Sequence, residues 1–127
     1  MKAKLHNGTE LEPILVTGGP RYVQGATRDS LSFIFPADAG LEQLDEIFGP
    51  DNCQSITILD DDGSENIHTD YTVRAELSKA AVEIAPATAE SEAVYEDRIT
   101  VVMAQRTYTE TQLYRLQAAV AALTQEQ

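Results

Sequence analysis

Arg98-Ile-Thr-Val-Val-Met-Ala-Gln105, running through Arg106-Thr-Tyr-Thr109 into Glu110 to Gln127, is the stretch whose reading decides the fold. Ile99, Val101 and Met103 alternate with other residues, the period of two that marks a strand with one buried face. Past Thr109 the period changes. Leu113, Leu116, Val120 and Leu123 recur at intervals of three, four and three, which aligns them as one stripe on a helix. Thr109 as N-cap with Gln112 three residues on forms a Thr-x-x-Gln capping box, and Tyr108 against Leu113 a hydrophobic staple. The spacing therefore predicts a C-terminal helix over 109–126.

That stripe needs a cover. It has the a/d spacing of a coiled coil for only about two heptads, short of the three to four that make such a pattern firm. The brevity favours the chain's own sheet over the same helix in another copy, and the two are not exclusive. Leu113, Tyr114, Leu116, Val120 and Leu123 are the candidate interface residues, Tyr114 widening the stripe from beside it. Alanines at 118, 119, 121 and 122 keep helix propensity high and the flanks thin.

Working outward, the 127 residues suit a single domain spanning 1–127, and a hydrophobic content of 43% is enough for one core. Twenty-one acidic against nine basic residues leave a net charge of −12. Such a surface repels a phosphate backbone and an anionic bilayer, so neither nucleic acid nor membrane is an expected partner. Cys53 is the only cysteine, which excludes an intrachain disulfide. Met1 to Gly8 lacks the apolar core of a signal peptide, and the run Ala118 to Leu123 is far short of the roughly 20 residues a membrane span takes. Synthesis in a cytoplasm is the expectation.

Toward the N-terminus, Asn7-Gly8 separates two strand-like runs, 2–6 and 9–16, as the central pair of a type I′ hairpin turn. Pro13 marks an edge or bulge, and Thr17-Gly-Gly-Pro20 is predicted to end the second strand. Residues 21–30 read as polar and turn-like. Leu31, Phe33 and Phe35 share one face of a short strand stopped by Pro36. Leu41, Leu44, Ile47 and Phe48 fall at helical spacing before Gly49-Pro50, giving a short helix near 40–48. Gln54 to Leu59 is a strand with Ile56 and Ile58 inward. Asn66 to Ile84 reads as one long or bent strand, with Ile67, Tyr71, Val73, Ala75 and Leu77 in one phase and a break near Lys79 to Val82. Pro86 to Glu92 has a linker's composition. The fold class is α+β: a mainly antiparallel sheet or partly closed barrel with a short helix near 40–48 and a C-terminal helix near 109–126.

Chemistry-bearing patterns are sparse. Asp60, Asp62 and Glu65, around Gly63, are candidate oxygen ligands for a hard cation such as calcium. An EF-hand loop would place a glutamate at position twelve, where this chain has Tyr71, so turn chemistry is the preferred account of the cluster. His6 and His68 stand in strand-like contexts without metal-ligand spacing, and His68 is predicted to face solvent. Cys53 has no basic neighbour in sequence to lower its pKa. No nucleophile has a base and an orienting group beside it, and neither catalytic residues nor a cofactor are expected.

Two further blocks carry a resemblance. Ala87-Thr-Ala-Glu-Ser-Glu-Ala-Val-Tyr-Glu-Asp-Arg98 with Val101 to Leu113, together with Gly18-Gly-Pro-Arg-Tyr22 and Arg28-Asp-Ser-Leu31, resembles the small uncharacterised proteins encoded in the tail-gene region of prophages from Gram-positive bacteria. The likeness covers most of the chain and brings no catalytic or binding residue with it. It implies a non-enzymatic structural or assembly component of a phage tail or baseplate, self-associating through the C-terminal helix or contacting other tail proteins. The location it implies is the host cytoplasm during synthesis and then the virion. The alternative expectation is a small binding module using the acidic 60–65 hairpin for a cation or a basic partner.

Overall fold

In a computed structural model describing residues 1–125, the chain forms two open antiparallel sheets of four strands each, with no closed barrel among the described residues. The first sheet takes β1 (Lys2–Lys4), β2 (Glu10–Leu11), β5 (Ser55–Leu59) and β6 (Glu65–Thr69) in the order β2-β1-β5-β6. The second takes β3 (Leu15–Val23), β4 (Ala26–Pro36), β7 (Val73–Ala85) and β8 (Val94–Ala104) in the order β3-β4-β8-β7. The helices are α1 (Leu41–Ile47), preceded by a 3-10 turn at Ala37–Ala39, and α2 (Tyr108–Gln125). The remaining predicted helical residue, Glu126, lies outside the described residues.

One core serves both sheets. Leu31, Phe33 and Phe35 of β4 and Ile99, Val101 and Met103 of β8 face Ala3, Ile56 and Ile58 of the first sheet. Helix α1 plugs the opening with Leu44 and Phe48. The Phe48 ring lies 5.0 Å from Phe33 and 5.9 Å from Phe35, the tilted and edge-on packing that aromatic quadrupoles favour. Arg74 of β7 closes the helix end, donating to the carbonyl oxygens of Asp45 (3.2 Å) and Phe48 (2.9 Å) and to the Asp45 carboxylate (2.9 Å). A cation at a helix C-terminus satisfies otherwise orphaned acceptors and opposes the negative end of the dipole. The interior thiol Cys53 is pushed up to about 12 by burial, and so stays protonated.

The turns depart from expectation in an instructive way. Asn7-Gly8 is not a type I′ pair: only Gly8 has positive φ, Gly8 N donates to Leu5 O and Leu5 N to Thr9 O. This is a three-residue loop with a glycine bulge, and Asn7 Oδ1 accepts from Thr9 N at 3.0 Å. Asp60 to Ser64 repeats the arrangement, with Gly63 at positive φ and Asp62 Oδ1 accepting from Ser64 N at 2.9 Å. The type I′ turn falls instead at Gln24-Gly25, with φ of 47° and 82°, between Val23 and Ala26. Consequently Gly18, Gly19 and Pro20 do not end a strand; they lie inside β3, paired with Leu31, Ser30 and Asp29. Proline is tolerated there because β3 is a sheet edge. Pro13 itself is buried, in the crossing from β2 to β3.

The predicted long strand 66–84 is two strands in different sheets. The chain crosses over at Asp70, whose φ of 64° redirects it, and Tyr71 is buried in the corner. This reverses the phase of β6: Ile67 is exposed, whereas His68 pairs opposite Ile56 and sets its ring edge-on to Tyr71 at 5.5 Å. A bulge between Arg74 and Glu76 then shifts β7, so Arg74 and Leu77 share the Met103 and Val101 side. No break occurs at Lys79 to Val82. The ladder continues, Val82 opposite Glu96 and Ala85 opposite Val94, so β7 and β8 extend as a two-stranded ribbon past Arg98, where pairing with β4 ends.

Candidate functional site: an outward helix on a polar clamp

Helix α2 follows β8 after only Gln105-Arg106-Thr107, and those residues decide its direction. Gln105 N donates to Asp29 O at 2.8 Å, and Arg106 N to Asp70 O at 2.9 Å. The chain is thus pinned to β4 on one side and to the sheet crossover on the other. The capping box lies two residues before the predicted one. Thr107 Oγ1 accepts from Glu110 N at 3.2 Å while Glu110 Oε1 accepts from Thr107 N at 2.8 Å. Thr109 is inside the helix, and Tyr108, at its first turn, is exposed rather than stapled to Leu113.

Glu110 wins over Gln112 because it has a second partner. The buried Arg28 of β4 grips the Glu110 carboxylate with both Nη atoms, Nη2 to Oε2 at 3.0 Å. The same guanidinium donates to the carbonyl oxygens of Val23 (2.8 Å), Gln24 (3.3 Å) and Gln105 (3.3 Å). One planar donor set therefore ties together the β3–β4 turn, the end of β8 and the first turn of α2. Arg28, foremost, and the Thr107 amide hold the Glu110 carboxyl down to about 2. A second arginine backs the first. Arg106 Nη2 donates to Asp70 Oδ1 at 2.7 Å, and its guanidinium carbon lies 4.5 Å from the Tyr114 ring centre, a cation–π contact. Tyr114 is thereby turned to the clamp, rather than simply widening the apolar stripe.

Beyond the clamp the helix leaves the body. Leu113, Leu116, Val120 and Leu123 are between 53% and 63% exposed, so the chain's own sheets do not cover the stripe. This overturns the expectation that the stripe packs on the domain. The reason is geometric: Arg28 and Asp70 hold the first turn and the linker at the edge of the sheets, and that fixes the direction in which the helix departs. Among the described residues, ten of the sixteen exposed large hydrophobics lie either on α2 or on the β7–β8 ribbon, where Val82, Ile84, Val94 and Tyr95 stand clear of the core. The two projections leave opposite ends of β8.

The remaining sequence candidates do not assemble into a reaction centre. Asp60 Oδ2 and Asp62 Oδ1 accept from Ser64 Oγ at 3.2 and 2.7 Å, a use of the carboxylates that holds Asp62 below its ordinary range. Asp61 takes the Met1 ammonium, and Glu65 opens β6. Among the described residues no three His, Cys, Asp or Glu side chains gather as a metal ligand set. A surface cleft of about 450 Å³ beside this hairpin is lined by Lys4, His6, Glu10, Thr57 and Glu65 without a paired nucleophile and base. No described helix is long and apolar enough to cross a membrane.

Fold and site together define a two-sheet α+β domain bearing a clamped, outward apolar helix. Comparison with protein-family models, with curated proteins and with solved structures finds no match.

Of the clamp residues, sequence reading singled out only Tyr114, and for the apolar stripe rather than for its contact with Arg106. Thr107-x-x-Glu110 was legible as a capping box, and a charged closing residue suits the positive helix end better than Gln112 does. Arg28 and Asp70 gave no local signal, because each acts on a residue distant in sequence.

Proposed function

We propose that the protein is a non-enzymatic structural or assembly component that associates with copies of itself through α2, in a phage tail or baseplate module. The observation that carries the first half is the apolar stripe of α2, held away from the body by two arginine-centred contacts. Fixing a helix outward at its first turn orients a contact surface before association, which lowers the ordering cost of forming an interface. The setting rests on the resemblance of residues 18–22, 28–31, 87–98 and 101–113 to prophage tail-region proteins.

Size-exclusion chromatography with light scattering tests the association. The wild-type chain is expected above the mass of one chain, and Leu116→Asp with Val120→Asp at the mass of one, both with the same β-sheet circular dichroism. A wild type that runs as a single folded chain ends the self-association claim. The coding sequence's neighbourhood tests the setting: tail genes on either side are expected, and a metabolic operon would undo it.

A further inference from the structure

We infer that α2 assembles with the α2 helices of at least two further copies, as a bundle of three or more rather than a pair. The inference rests on the self-association reading and specifies its occupant and number.

Three observations converge on it. The first is charge. The chain carries −12, yet Tyr108–Gln125 holds a single acid, Glu110, already neutralised by Arg28, and a single base, Arg115. Two copies repel one another over most of their surfaces, and this helix is where they approach without that penalty. The second is area. An 18-residue helix is about 27 Å long and about 10 Å across, so one face offers on the order of 300 to 500 Å². A stable interface takes about 800 Å² from each partner. A helix touching one neighbour falls short of that, whereas two such faces together, about 600 to 1000 Å², span it.

The third is the distribution of apolar residues around the helix. Ala118 to Leu123 are six apolar residues in succession, all exposed, so this half is apolar on every side rather than along one stripe. An apolar surface wider than one stripe can be buried against two neighbours, with only the side opposite the stripe left to solvent. The positions flanking the stripe point the same way: Gln112, Gln117 and Ala119 are exposed and uncharged, whereas two-stranded coiled coils commonly place charged pairs there. Ala119 is thin enough to let a third helix approach beside the first contact.

Sedimentation equilibrium over a range of protein concentrations tests the number, with three single variants. The wild type is expected at the mass of three or more chains. Leu116→Asp, on the stripe, is expected at one chain. Ala119→Glu, on the flank, is expected to lose at least one copy, because a second neighbour would bury its charge. Ala118→Glu, across the helix from the stripe, is expected to retain the wild-type mass. Unchanged thermal unfolding of the β body in each variant shows that the fold survives. A two-chain wild type indifferent to Ala119→Glu overturns the bundle while leaving self-association through α2 standing. A mass of three or more that survives both Leu116→Asp and Ala119→Glu overturns both readings, since another surface then holds the copies together. A single-chain wild type overturns both as well.

Discussion

Arg28 is the residue on which the outward helix turns. Its side chain is 1% exposed and meets three carbonyl oxygens and one carboxylate, so its removal takes a donor from four acceptors at once. Arg28→Met is expected to cost about 2 kcal/mol in urea unfolding, the range for losing charge-assisted hydrogen bonds whose carboxylate partner can still reach water. Its partner sets a pH dependence. Folding holds the Glu110 carboxyl at about 2, below its unfolded value of about 4.3, so its contribution is complete above the unfolded value and is lost as pH falls toward 2. Because the Glu110 side chain is 41% exposed, solvent screening keeps that contribution on the order of 1 kcal/mol. Stability measured from pH 5 down to about 2 should therefore fall less steeply in Glu110→Gln than in the wild type.

At the scale of elements, the helix starts on the Thr107-x-x-Glu110 capping box rather than on Thr109-x-x-Gln112. Thr107→Ala should lower helicity at 222 nm and cost about 1 kcal/mol, because Glu110 N loses its acceptor; Thr109→Ala, inside the helix, should do neither. The β3–β4 hairpin makes a matching case. Gly25 sits at a φ of 82° with nothing near its missing Cβ, so Gly25→Ala is penalised by backbone conformation alone, by about 1 kcal/mol in urea unfolding. Gln24-Gly25 escaped the sequence reading because Asn-Gly at 7–8 is the stronger type I′ signal and glutamine is not a usual residue at positive φ. Pairing of β3 with β4 over nine residue pairs overrode the preference of the turn residues themselves. Strand faces were legible where alternation was unbroken, as in Leu31-Phe33-Phe35 and Ile99-Val101-Met103. They were not legible at Ile67 and Val73, because the crossover at Asp70 and the bulge before Glu76 each reset the phase.

Taken whole, the molecule is a closed core with two open ends. Phe48 locks α1 against both aromatic residues of β4, and Phe48→Ala should cost about 3–5 kcal/mol by emptying that junction, read as a drop in the urea midpoint. Such a loss weakens the body without touching the helix stripe, so any assembly formed through α2, as proposed, should keep its mass below the unfolding midpoint. On the proposed self-association the inverse is expected for α2, with stripe substitutions changing the mass and leaving the body's unfolding in place. That separation follows from the layout, since β8 joins the core to the helix through three residues and the clamp alone.

By itself the sequence determined the α+β class, the apolar residues of the core strands, the short helix near 40–48, and the stripe at Leu113, Leu116, Val120 and Leu123. Each of these rests on a local period or a local stop signal, and the physics of a strand face or a helix face acts over a few residues. Only the tertiary structure decided which way the stripe points. That depends on Arg28 meeting Glu110 across 82 positions and on Asp70 meeting Arg106 across 36. Contacts of that separation leave no periodic trace, because their partners are brought together by the fold rather than by neighbouring chain.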